Sequence, residues 1–107
     1  MQTNTEIKVK INELSTERLT NAVEMLKAIS HPARLSILSF LDNGKELTVN
    51  EIKEMLKIEQ ATTSHHLGIM KNKGVLNSKR YGKNTYYYLR DKSFTKIIEC
   101  VCNCSIS

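Results

Sequence analysis

Between Glu59 and Gly74 the chain reads EQATTSHHLGIMKNKG. Gln60, Thr62, Ser64 and His65 carry short or amide-bearing groups that both donate and accept hydrogen bonds, which is what reading base edges in a DNA major groove requires. Leu67 and Met70, with Ala61 and Thr63 behind them, recur at helical spacing and give the stretch one face to bury. An ordinary solvated face would carry Glu and Lys pairs, although a polar helix with propensity-lowering threonines fits the same residues. A second chemically loaded stretch is Cys100-Val101-Cys102-Asn103-Cys104, which holds all three cysteines of the chain. In a reducing compartment, an odd and clustered set of thiols reads as a metal or redox site before a disulfide framework.

Charge points the same way as the polar helix. Seven basic residues lie between Lys71 and Lys92 (Lys71, Lys73, Lys79, Arg80, Lys83, Arg90, Lys92) against one acid, Asp91; the other nine basic and ten acidic residues nearly cancel. The excess positive charge of +5 is therefore concentrated just after the candidate reading helix, as a phosphate-binding surface demands. Evenly mixed signs would have meant only a solvated surface.

The elements that must position these groups follow from periodicity and punctuation. At 107 residues the chain supports one modest core. Residues 1–15 form an N-terminal arm or helix extension, in which Ile7–Leu14 fits either a strand or a helix. Residues 16–107 form a single domain. A helix from about Thr16 carries the stripe Leu19, Ala22, Val23, Leu26 and Ile29, and Ser30-His31-Pro32 ends it. Pro32 suits the first position of a second helix, which buries Leu35, Ile37, Leu38 and Leu41 and stops at Asp42-Asn43-Gly44. Glu46-Leu47 is an extended link. Thr48-Val49-Asn50-Glu51 has the Thr-x-x-Glu pattern of a capping box and opens a third helix, with Ile52, Met55 and Leu56 facing inward.

A short helix, a tight turn lacking the usual glycine, and the Gln60 helix together make a helix-turn-helix. Aromatic and β-branched residues on both sides of Tyr81-Gly82-Lys83-Asn84 predict a β-hairpin with a basic tip, a wing. Tyr86 and Tyr88 share one face, and at least one of them is expected against the core. Asp91 can cap a last helix, on which Phe94, Ile97, Ile98 and Val101 form an apolar stripe. The fold class is thus mainly α with a small β-hairpin: a winged helix-turn-helix, dimeric, with its N- and C-terminal helices at the interface.

Four stretches, in this order and spacing, are similar to the ArsR/SmtB family of bacterial winged-helix repressors: Leu26 to Leu35, Gln60 to Leu67, Lys73-Gly74-Val75-Leu76, and Arg80 to Leu89. The resemblance implies a homodimer that binds double-stranded operator DNA and lets go when an effector, often a metal ion, binds. Carried over by position, Gln60, Thr62, Thr63, Ser64 and His65 approach major-groove bases and phosphates. Lys83 at the wing tip nears an adjacent minor groove, and Lys71, Lys79 and Arg80 sit on the backbone. Glu59 is left out of the contact surface, because its charge would repel a phosphate. His66, beside Leu67, reads as a packed, hydrogen-bonded histidine rather than a metal ligand, and His31 also reads as structural.

The metal patterns of that family are not met. Thr48-Val49-Asn50 stands where one of them has a Cys-x-Cys pair. Asp91 matches the start of another, but Lys92, Ser93 and Cys104 supply no imidazole. What remains is Cys100, Cys102 and Cys104. On a continuous helix Cys100 and Cys104 share a face and Cys102 points nearly the opposite way; in an extended segment all three could surround a soft ion such as arsenite. A thiol redox or persulfide sensor is the next alternative, and incidental thiols on a frayed tail the third. No enzyme is expected, since the sequence shows no nucleophile–base pair, glycine-rich phosphate loop or carboxylate pair suited to a cleft. No apolar run approaches a membrane span and MQTNTEIK is not a signal peptide, so a cytoplasmic protein with no membrane partner is expected. The rival from another class is a winged-helix protein-interaction module.

Overall fold

His31 and Pro32 set the first corner. In the computed structural model, which describes residues 13–104, helix α1 (Thr16–Ile29) ends at Ser30, and α2 (Pro32–Phe40) begins two residues later. The His31 Nδ1 accepts a hydrogen bond from the Ala33 N–H at 3.0 Å, so His31 serves as the helix cap. Pro32 lacks an N–H where α2 has no intrahelical use for one. At the other end of α1, Ser15 is the cap, its Oγ accepting from the Arg18 N–H at 3.1 Å. The arm assigned to residues 1–15, and with it the alternatives for Ile7–Leu14, lies outside the described residues up to residue 12.

A 3-10 turn at Asp42–Gly44 follows α2, with Asn43 and Gly44 both at positive φ. The expected link at Glu46-Leu47 becomes a short strand, β1 (Leu47–Thr48). Thr48 then caps α3 (Val49–Leu56) with the full capping box: the Glu51 N–H donates to Thr48 Oγ1 and the Thr48 N–H to Glu51 Oε1. Helix α4 (Gln60–Asn72) leads into β2 (Leu76–Tyr81), β3 (Asn84–Leu89) and α5 (Phe94–Cys104). Asp91 prepares that last helix through its Oδ1, which accepts from the Ser93 N–H at 2.9 Å.

The wing is a three-stranded antiparallel sheet in the order β1-β3-β2, with Leu47 opposite Tyr87, Ser78 opposite Tyr87 on the other side, and Lys79 opposite Tyr86. This register assigns the tyrosines. Alternate residues share a side, so Tyr87 joins Leu76 and Leu89 against the core, while Tyr86 and Tyr88 stay with Lys79 on the outer face. The expectation that Tyr86 or Tyr88 supplies the core contact is corrected to Tyr87.

The core runs along α2. Ile37, Leu38 and Leu41 pack with Ile52 of α3, Leu67 and Met70 of α4, Val75, Leu76 and Phe94, all with 5 % exposure or less. Each fully buried aliphatic side chain contributes about 1.5–3 kcal/mol. Several residues expected on apolar faces fall outside it. Met55 is 46 % exposed, because α3 is only two turns long and turns Ile52 alone fully inward. On α1, the face meeting the core is Met25, Ala28 and Ile29, which leaves Ala22, Val23 and Leu26 outward, with Leu26 at 55 % exposure. Among the described residues, those side chains and Val101 of α5, at 38 %, are exposed apolar groups on the two terminal helices.

Candidate nucleic-acid interface

Helix α4 divides its residues sharply. Thr63, His66, Leu67 and Met70, at the i, i+3, i+4, i+7 spacing, are buried, whereas Gln60, Thr62, Ser64 and His65 are exposed. Four of the five reading residues therefore face outward. Thr63 does not: it is fully buried, and its Oγ1 donates to the Glu59 carbonyl at 2.9 Å, so both its position and its hydroxyl are spent inside the domain. Thr63 is removed from the contact set. Ala61, placed behind the apolar face in the sequence reading, is exposed.

The turn that aims α4 is made without glycine. Lys57 takes the left-handed conformation (φ 60°, ψ 44°) and its N–H closes on the Lys53 carbonyl at 2.8 Å. A residue with a Cβ pays about 1–2 kcal/mol for that region. The surrounding helices hold it there.

At the wing tip, Gly82 (φ 62°) makes the reversal and Lys83 projects from it into solvent. The Arg80 Nε donates to the Gly82 carbonyl at 3.2 Å, which ties the tip to its own strand. Tip and reading helix share one shallow cleft of about 230 Å³, lined by Thr48, Val49, Asn50, Gln60, Lys83, Asn84 and Thr85. Asn50, Asn84 and Thr85 enter the site through this cleft; none has a local pattern that marks it in the sequence.

The remaining basic residues differ in how available they are. Lys71 is exposed on the last turn of α4. Lys73 is engaged, its Nζ 3.0 Å from Glu24 Oε1, and this partner holds the Glu24 carboxyl below the usual carboxylate range. Lys79 is engaged too. Its Nζ lies 2.6 Å from Glu46 Oε2 and 5.1 and 5.6 Å from the ring centres of Tyr88 and Tyr81. The Glu46 hydrogen bond is the main reason that the Lys79 pKa is raised. A lysine read as a backbone contact is thus folded onto the wing in the DNA-free protein.

His66 is packed and hydrogen-bonded, as expected. It is 6 % exposed, and its Nδ1 accepts from Arg34 Nε at 3.0 Å. Burial first, and then the neighbouring Arg34 charge, hold its pKa below the ordinary histidine value.

The three thiols are exposed along the last turns of α5, which stays wound through Cys104. Helical geometry puts Cys100 and Cys104 on one side and Cys102 on the other. Among the described residues, no group of three His, Cys, Asp or Glu side chains converges to hold a metal ion. No described helix is long and apolar enough to cross a membrane.

Residues 31–78 match the sequence profile described as "Bacterial regulatory protein, arsR family". Over 85 residues the chain is 36 % identical to an uncharacterized HTH-type transcriptional regulator of Methanocaldococcus jannaschii, covering 79 % of this chain and 96 % of that one. Over 90 residues it is 38 % identical to the transcriptional repressor PagR of Bacillus anthracis, covering 84 % and 87 %. The crystal structure of PagR superposes with a TM-score of 0.73, covering 81 % of this chain and 99 % of that chain. A cadmium resistance transcriptional regulatory protein, the CadC homolog of Staphylococcus aureus, is 30 % identical over 87 residues, covering 81 % and 72 %. Reading helix, wing and family agreement lead to one conclusion: the chain belongs to the ArsR family of bacterial regulatory proteins, and is a winged helix-turn-helix transcriptional regulator rather than an enzyme.

Proposed function

We propose that this regulator is a cytoplasmic, sequence-specific repressor that binds double-stranded operator DNA as a homodimer. The observation that carries the reading is the cleft joining Gln60 to Lys83: it sets the start of the reading helix beside the wing tip, so major-groove and adjacent backbone contacts can be made together. Gln60, Thr62, Ser64 and His65 meet bases and nearby phosphates. Lys71 and Arg80 meet the backbone, joined by Lys79 once it leaves Glu46, and Lys83 at the wing tip nears the adjacent minor groove. The open apolar surface of α1 and α5 (Val23, Leu26, Val101) supports pairing of two copies through those helices. Two-fold symmetry then calls for a near-palindromic operator with half-sites about one helical turn apart.

The effector reading rests on the α5 thiols. A soft metal or metalloid ion such as arsenite binds thiolates without histidine. In the wound helix Cys100 and Cys104 offer two sulfurs on one side, and engaging Cys102 at the same ion requires the last turn to unwind. Such unwinding on an interface helix would change how two copies are held, and an effector acts only through unequal affinity for the two states. The exposure of the thiols also suits oxidation or persulfide formation.

Duplex binding measured against salt tests the DNA reading. A linear fall of log affinity with log salt, at about −0.9 per phosphate neutralised, supports it. A salt-independent affinity for a protein partner with no DNA shift would favour an interaction module. For the effector, arsenite should release DNA from the wild type and not from the C100S/C102S/C104S variant; release from both would remove the tail as sensor.

A further inference from the structure

Arg34 of α2 spans two other elements. Its Nε donates to His66 Nδ1 at 3.0 Å, and its Nη1 donates to the Ala28 carbonyl, near the end of α1, at 3.2 Å. One guanidinium thus links the C-terminal turn of α1, helix α2 and the middle of the reading helix. His66 stands next to His65 on that helix, so whatever holds His66 also sets the rotation of the outward residues on either side of it. Around His66 stand Arg34 from α2, His31 from the corner before α2 with its ring centre 4.7 Å away, and His65 from the same helix at 6.3 Å. Among the described residues, the charged or chargeable groups that act on His66 are these three, and none of them is acidic.

We propose that Arg34 is a positioning residue for DNA recognition, acting through the neutral imidazole of His66, and that protonation of His66 releases the reading helix from its DNA-competent pose. This rests on the DNA-binding reading given above. The chemistry is that of one lone pair. Arg34 cannot give up its proton, so the bond requires an unprotonated Nδ1 on His66. A proton on that nitrogen sets donor against donor and positive charge against positive charge, at a site with little water to screen either. The direction follows from linkage. His66 binds protons more weakly in the braced pose than an ordinary histidine does, so lowering the pH favours the released pose. Acid has the opposite general effect: it raises the net positive charge of the protein as a whole, which should tighten binding to a polyanion. A loss of operator affinity in acid therefore cannot come from net charge.

The test is operator affinity between pH 8 and pH 5.5 for wild type, His31→Asn and His66→Asn, at fixed salt. Asn at 66 can present an acceptor near the place of Nδ1 without titrating, and Asn at 31 remains a good helix cap. Wild type and His31→Asn should weaken about two- to fivefold on acidification, the range over which one titrating histidine can shift a pose equilibrium that lies near balance, and His66→Asn should not. Equal weakening in all three would overturn the proposal. Because it also depends on DNA binding, a DNA-free arm decides it separately. NMR of the full chain would follow the His66 ring nitrogens and the amides of Gln60, Thr62, Ser64 and His65 through the same range. Those amides should shift with the His66 midpoint, and that midpoint should rise in Arg34→Gln, which removes the neighbouring charge. Amides that follow His65 instead, or a midpoint that does not move in Arg34→Gln, would refute the brace. If wild type bound no duplex at any pH while the amides still tracked His66, the brace would stand and the DNA reading would fall.

Discussion

Glu46 holds Lys79 at 2.6 Å across the outer edge of the wing, with the Lys79 ammonium resting over Tyr88 and Tyr81. The pair joins the segment before β1 to β2, on either side of β3 in the sheet, and it keeps one cation away from any phosphate. Glu46→Gln frees that lysine. Duplex affinity should rise about threefold at moderate salt, and the log–log salt slope should steepen by up to about 0.9, the share of one phosphate contact. A titration of both proteins across salt checks this; an unchanged slope would mean that Lys79 stays on the wing when DNA binds.

Thr63 and its neighbours should separate on mutation. Thr63→Ala removes a buried methyl and the hydroxyl bonded to the Glu59 carbonyl, and is expected to cost about 1–2 kcal/mol of stability while leaving operator preference intact. Gln60→Ala, Thr62→Ala and Ser64→Ala should leave the melting temperature within about a degree or two, since exposed changes usually stay within ±0.5 kcal/mol, and should narrow the gap between operator and random duplex. Thermal melts beside competition binding distinguish the two classes.

Lys57 occupies left-handed backbone that glycine adopts at no steric cost. Lys57→Gly should stabilise the domain by about 0.5–1 kcal/mol, the relief of strain exceeding the added entropy of the unfolded chain. Lys57→Val should destabilise it by more than about 1 kcal/mol, since a branched Cβ is worse placed there than that of lysine. Chemical denaturation of the three proteins gives the order directly.

Leu26 is more than half exposed on the outer side of α1, so a charge there has little to disturb within one copy. Leu26→Glu should leave helix content and melting of the monomer unchanged and abolish pairing, read as a halved mass by light scattering at micromolar protein. Operator affinity should fall with it, because two half-sites bound by one dimer gain from effective concentration. A full-sized dimer in Leu26→Glu would place the interface elsewhere.

Much of the fold was legible because its signals are local. The capping box at Thr48, proline at the start of α2, the apolar spacing of α2 and the glycine at the wing tip all act over three or four residues, and, unlike the cap at His31, each appears where the chain pattern placed it. So did the outward face of Gln60, Thr62, Ser64 and His65, since a helix that buries Leu67 and Met70 leaves them little choice. The rest depended on partners distant in sequence. That Thr63 rather than Ala61 turns inward is a matter of a few tens of degrees of helix rotation, set by what α4 packs against. That Tyr87 rather than Tyr86 reaches the core is a one-residue choice of strand face, fixed by pairing with Leu47 and Ser78. The outward turn of Leu26, the hold of Glu46 on Lys79 and the hold of Arg34 on His66 are contacts between surfaces that only the packed domain brings together. By itself the sequence determined which helices and strands form and which kind of ligand they suit. Tertiary structure decided which side chains remain available to meet it, because availability depends on long-range packing and local periodicity carries no record of that packing.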